Sequence, residues 1–227
     1  MLTYDKFLEE LKGYAEPKFA AFQKKLIFTK AEILGVRTPI LRTLSKKYKD
    51  EEESLFTFPN DCYEVTFIKL AVAANLPYDR FLRRLDECVE AIDNWATCDT
   101  FKPKALKKDR LDEFLPILLS YLNNAGEFYQ RFVLVTLLSY YMEKKYLPIC
   151  KECLKAANTE AYYVHMAAAW LTAEILVNHF EKGLEILKEE ILSVKTHDKA
   201  IQKARESYRL TAFQKEYLNT LKRKKEQ

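Results

Sequence analysis

The chain has 227 residues, 48% hydrophobic and 31% charged, with a formal net charge of +4. That length suits one large domain or a short repeat array, and the hydrophobic share excludes a chain disordered throughout. The small positive charge permits nucleic-acid binding without requiring it, and only four glycines practically exclude Gly-rich phosphate loops and favour an all-α fold.

The apolar periodicity predicts helices from the first residues. Tyr4, Phe7, Leu8 and Leu11 line one that ends near Gly13. Pro17 opens a second, with Phe19, Phe22 and Leu26 expected inward. After Gly35, Thr38 as N-cap and Pro39 as first helical residue start a third through Ile40, Leu41, Leu44 and Tyr48. A fourth begins at Pro59-Asn60-Asp61 and reaches about Leu76, and a fifth follows Pro77 to Ile92. The short segment Trp95–Phe101 is stopped by Pro103. Further helices are expected near 109–122, 126–143, 146–157, 159–179, 181–192, 197–207 and 213–223. No period-2 run bounded by hairpin turns occurs, so no sheet is assigned. Roughly a dozen helices with short connections stack most simply as antiparallel pairs. The expected fold is an all-α, HEAT-like or ARM-like helical-repeat superhelix, a single domain over 1–227 with a concave face. A compact bundle fits the same pattern.

No stretch of 18 apolar residues is present, and the first residues lack a basic region followed by an apolar one, so neither a membrane span nor a signal peptide is expected. Five irregularly spaced cysteines fit a reducing compartment, and a cytoplasmic location is expected. His165, His179 and His197 lie on separate segments, and Cys150 with Cys153 reads as two thiols of one amphipathic helix, so no metal site is expected.

Four residues stand out against this background. Trp95 and Asp99 are four apart and share a helix face. Arg131 is planted in the apolar run Phe128-Tyr129-Gln130-Arg131-Phe132-Val133-Leu134-Val135, and Trp170 ends the small-residue run Ala167-Ala168-Ala169. An acid, an arginine and two aromatics suit a cationic, sugar-like transition state beside a phosphate. Each residue also has a plain structural explanation. Trp95 fits a core or domain-seam position, Trp170 fits packing, Asp99 fits a cap or a pair with Lys102, and Arg131 fits a buried pair with Glu127 or Glu174. Positive charge clusters at Lys102, Lys104, Lys107, Lys108 and Arg110, again at Lys195, Lys199, Lys203, Arg205 and Arg209, and in the tail Lys222-Arg223-Lys224-Lys225. Arg37 and Arg42 flank a predicted helix N-terminus suited to a phosphate.

Together, Gly35-Val36-Arg37-Thr38-Pro39-Ile40-Leu41-Arg42, Trp95-Ala96-Thr97-Cys98-Asp99, Arg131, Trp170 and Lys199-Ala200-Ile201-Gln202-Lys203-Ala204-Arg205-Glu206-Ser207 span nearly the whole chain. In that order and spacing the chain resembles the AlkD-type DNA alkylation repair family, HEAT-like helical-repeat DNA glycosylases. The resemblance implies that Asp99 is the catalytic carboxylate. It also implies that Trp95 and Trp170 touch the deoxyribose and backbone at a lesion, and that Arg131 binds a nearby phosphate. Arg37, Arg42, Lys102 and Lys104 are further candidates for contact with double-stranded DNA. The implied reaction releases N3- or N7-alkylated purines and needs no cofactor. Neither a membrane nor an obligate protein partner is indicated. The chain departs from the family pattern at Ala96, where an acid is common, and at Gln130, where a second arginine is common. Phe28 is a loose match to the aromatic expected before Gly35. The alternative is a non-catalytic helical-repeat protein that binds damaged or branched DNA.

Overall fold

The computed structural model describes residues 2–223. Among these are fourteen α-helices and no strand, the one β feature being an isolated parallel bridge between Glu32 and Cys62. Helical periodicity with few glycines therefore yields the all-α architecture expected of it. Backbone contacts divide the chain into two compact units, one running to Lys107 and one from Lys108.

The first unit holds α1 (Tyr4–Gly13), α2 (Pro17–Gln23), α3 (Thr38–Lys47), α4 (Glu52–Phe56), α5 (Tyr63–Ala73), α6 (Tyr78–Glu90) and α7 (Trp95–Thr100). Its centre is α5, apolar nearly all round, which packs against α3, α4, α6 and α7. Phe7, Leu11, Leu41, Leu55, Val65 and Ile68 form the core around it, each worth about 1.5–3 kcal/mol of apolar burial. Two buried carboxylates organise this unit. Glu52 on α4 is paired with Arg80 and with Arg84 of α6 at 2.8 Å. Glu64 on α5, with no exposed surface, accepts the backbone N–H groups of Leu34, Gly35 and Val36 at 3.1, 2.8 and 3.2 Å.

Three expectations for this unit need correction. Phe22 and Leu26 point outward, 55% and 48% exposed, while Ala20, Gln23 and Ile27 are buried in their place. The cause is the approach of Gly35, where an added Cβ would sit 2.5 Å from the Ala20 nitrogen. Only the small face of α2 can press that close to the loop. Arg37, not Thr38, is the N-cap of α3, and no side chain caps that helix. The acid-rich α4, five residues long, escaped detection because it is shorter than two turns and shows no full apolar period.

The second unit holds α8 (Leu111–Ser120), α9 (Glu127–Tyr140), α10 (Leu147–Ala156), α11 (Tyr162–Asn178), α12 (Phe180–Lys188), α13 (Val194–Glu206) and α14 (Ala212–Thr220). Here α11 is the hub, packed by α9, α10, α12 and α13. Its buried Ala167, Ala168 and Ala169 remove side-chain bulk and let neighbours approach. Gly183 on α12 serves the same end, since a Cβ there would meet Leu176 Cα at 2.7 Å. The start of α13 lies three residues before the expected 197, because the Ser193 hydroxyl accepts the Thr196 N–H and caps the helix. A capping box at Thr211 and Gln214 begins α14.

Candidate functional site

In the first unit, α7 carries Trp95 and Asp99 one turn apart, both half-buried. The helix is short, and its geometry is fixed at the N-terminus by Asn94. That residue is 1% exposed, and its side-chain oxygen accepts the Thr97 N–H at 3.0 Å. Asn94 in turn donates to Asp93 at 2.8 Å. The other Asp93 oxygen takes the Thr29 hydroxyl at 2.6 Å and the Lys30 N–H at 3.1 Å. These supports were legible as Asn-x-x-Thr ahead of α7, a cap pattern overshadowed by the tryptophan within it.

The Trp95 indole N–H donates to the Leu26 carbonyl at 2.8 Å, and the ring packs on the core of the unit. What Trp95 offers a ligand is therefore a ring face and not a donor. Lys102 and Lys104 follow α7, exposed, with no side-chain hydrogen bond or ion pair among the described residues. The plain pairing of Asp99 with Lys102 is thus not made.

Arg37 is engaged, its guanidinium holding Glu16 through two bonds of 3.0 and 2.7 Å and lying 4.0 Å from the Phe19 ring centroid. Arg42 is exposed on α3, and among the described residues its side chain has no ion-pair partner. The loop before α3 has its N–H groups at 34–36 filled by Glu64, so an anion arriving there would meet arginine side chains and not a vacant backbone nest.

In the second unit, α9 grips the loop leading into α11 with four residues. The Glu127 carboxylate accepts the Tyr163 N–H at 2.5 Å, and Gln130 accepts the Asn158 N–H at 2.8 Å while donating to the Asn124 carbonyl at 3.1 Å. Phe128 packs on Tyr163 with ring centroids 5.1 Å apart. Arg131, only 5% exposed, donates from Nη1 to the Tyr163 carbonyl at 2.8 Å and lies 5.9 Å from that ring's centroid. Glu127 is committed to the start of α11, and Glu174 pairs with Arg209 at 2.9 Å. Gln130, at the position where the resemblance leads one to expect an arginine, is a buried crosslink between two loops. Trp170 is half-buried on α11 beside the alanine run. The structure thus groups the predicted residues as Trp95 with Asp99 on α7, and as Arg131 and Trp170 on the packed pair α9 and α11.

Each histidine has a structural partner. His165 Nδ1 meets the Thr196 hydroxyl at 2.9 Å, His179 Nε2 the Met142 carbonyl at 2.7 Å, and His197 Nε2 the Leu221 carbonyl at 2.9 Å. Among the described residues no three potential ligands cluster to hold a metal ion, and no helix is long and apolar enough to cross a membrane. Comparison with known proteins gives one finding. The family model described as DNA alkylation repair enzyme matches residues 7–204, running through both units. No curated protein matches the chain.

Proposed function

The chain belongs to the DNA alkylation repair enzyme family, whose model covers residues 7–204, and from that premise we propose that it is a monofunctional DNA glycosylase that releases N3- or N7-alkylated purines from double-stranded DNA. The reading takes residues 1–227 as one domain of that family. The observation that carries it is the capped helix α7, which fixes an acid and an aromatic one turn apart and leaves both half-buried.

The chemistry needs little more. An alkylated purine is already cationic and leaves without protonation, so the barrier lies in the positive charge that builds on the deoxyribose. A carboxylate held beside that sugar, as Asp99 would be, stabilises the developing cation and orients water. The faces of Trp95 and Trp170 would pack on the sugar and attract its charge. Arg131, Arg42, Lys102 and Lys104 would position the backbone without reading sequence, and Arg37 would contribute where its pair with Glu16 opens. No cofactor enters this scheme.

The test is release of N7-methylguanine from duplex DNA by the wild type and by Asp99→Asn. The variant keeps the shape and removes the charge, so release should fall by about 10²-fold or more while DNA affinity holds. Release at the wild-type rate would remove Asp99 from the mechanism.

A second reading, a non-catalytic protein for damaged or branched DNA, is favoured by one feature. Ala96 is in the core and Gln130 is tied to two loops, so neither position adds charge to the site. A wild type that binds duplex DNA and releases no base would select this reading.

A further inference from the structure

The second unit contains a cleft of about 1030 Å³ between α11, α13 and the residues after α14. Two basic groups far apart in sequence meet there. Lys195 and Lys199 come from one face of α13, and Lys222 and Arg223 come from the C-terminal stretch. Lys224 and Lys225 of the same tail lie outside the described residues. Tyr162, 57% exposed, and the buried His165 complete the wall.

The three lysines of the lining have no carboxylate partner among the described residues. The two carboxylates of the lining are directed at the tail. Asp198 accepts the Arg223 backbone N–H at 3.0 Å, and Glu190 lies 3.8 Å from Arg223 Nη2. Among the described residues Lys195 and Lys222 have no side-chain partner, and Lys199 reaches only the neutral Gln202 at 3.1 Å. Arg223 is held in the wall by Nη1, which donates to the Leu192 carbonyl at 3.2 Å, so its charge is fixed beside those of the lysines. Burial disfavours protonation of His165, and both α13 lysines lie close enough to add to that effect. A strand of phosphates with a base or sugar laid on Tyr162 matches this combination of cations and exposed ring.

We propose that this cleft is a phosphate-binding site, formed by Lys195, Lys199, Lys222 and Arg223, that takes the backbone of a DNA strand. Its duplex arm rests on the DNA reading above, and its phosphate arm does not. Duplex affinity is measured from low to physiological salt for the wild type and for Lys195→Ala with Lys199→Ala. In parallel, inorganic phosphate is titrated while the His165 ring-proton resonance is followed. Each phosphate contact contributes about 0.9 to the slope of log affinity against log salt, so losing two lysines should make that slope shallower by about 2. Phosphate should shift the His165 resonance in the wild type and not in the double variant. A phosphate-induced shift in a protein that binds no duplex would keep the cleft, assign it to small phosphate compounds and dismiss the DNA reading. An unchanged slope together with an unmoved His165 resonance overturns the cleft, and base release then still tests the α7 carboxylate by itself. Circular dichroism of the double variant establishes that both surface changes leave the helices intact.

Discussion

A guanidinium as buried as that of Arg131 needs fixed acceptors, because an unpaired charge taken from water costs several kcal/mol. The Tyr163 carbonyl supplies one, which gives Arg131 a part in setting the start of α11 in addition to any contact with DNA. The buried imidazoles obey the same rule with the opposite outcome, since they avoid the cost by staying neutral. Burial lowers the pKa of His165, helped by Lys195 and Lys199, and burial also lowers that of His197, helped by Arg223. In the unfolded chain both return to about 6.5. The unfolded state therefore takes up protons first, so the stability these groups contribute is complete above that pH. It is lost as pH falls through 6.5 towards the lower folded values. The urea midpoint should drop between pH 7 and 5.5, and the drop should be smaller in a His165→Gln, His197→Gln double variant. An equal drop in that variant would place the pH dependence in other groups.

At the scale of elements, the loop ahead of α3 shows how a few atoms place a helix. Gly35 has φ +84°, and a Cβ there would lie 2.5 Å from both the Ala20 nitrogen and the Glu16 carbonyl oxygen. Both neighbours are backbone, so nothing can rotate away. Gly35→Ala should cost at least about 2 kcal/mol, from the left-handed conformation and the overlap together. It should also loosen the Leu26 carbonyl from the Trp95 indole, seen as a red shift of tryptophan emission. Full stability and unchanged emission would show that α2 is held by something else. The same loop explains what the sequence could and could not disclose. The helices stood out through their periodicity, and Trp95 with Asp99 through their spacing. The orientation of α2 did not, because it turns on a backbone approach between Ala20 and Gly35, fifteen positions apart, that leaves no pattern in hydrophobicity. The partner of the loop at 34–36 was hidden for a related reason. The loop's N–H groups are taken by Glu64, and nothing in the local sequence marks a carboxylate some thirty positions on as their partner. Gln130 was legible only as a polar interruption until the loops it ties were in place.

Across the whole molecule, all five cysteines are free and buried, Cys62, Cys88 and Cys98 in the first unit and Cys150 and Cys153 in the second. Burial pushes the Cys62 and Cys150 thiols up to about 12 and Cys153 up to about 11, and raises Cys88 further still. The thiolate is the reactive form, so at pH 8 such groups are poor nucleophiles even where a reagent can reach them. Cys150 and Cys153 share the buried face of α10, and Cys150 Sγ faces the Tyr141 carbonyl at 3.8 Å, so α10 must leave its unit before either can react. The native protein should therefore show none of its five thiols modified by an aromatic disulfide reagent during the minutes in which a free thiol reacts completely. With increasing urea, labelling should rise with the loss of helix, and mass spectrometry should find Cys150 and Cys153 modified together, since one helix buries both. Rapid modification of Cys62, Cys88 or Cys98 in the absence of urea would mean that the first unit opens readily. The capped α7, whose Cys98 sits between Trp95 and Asp99, would then lack the fixed geometry on which the proposed chemistry depends.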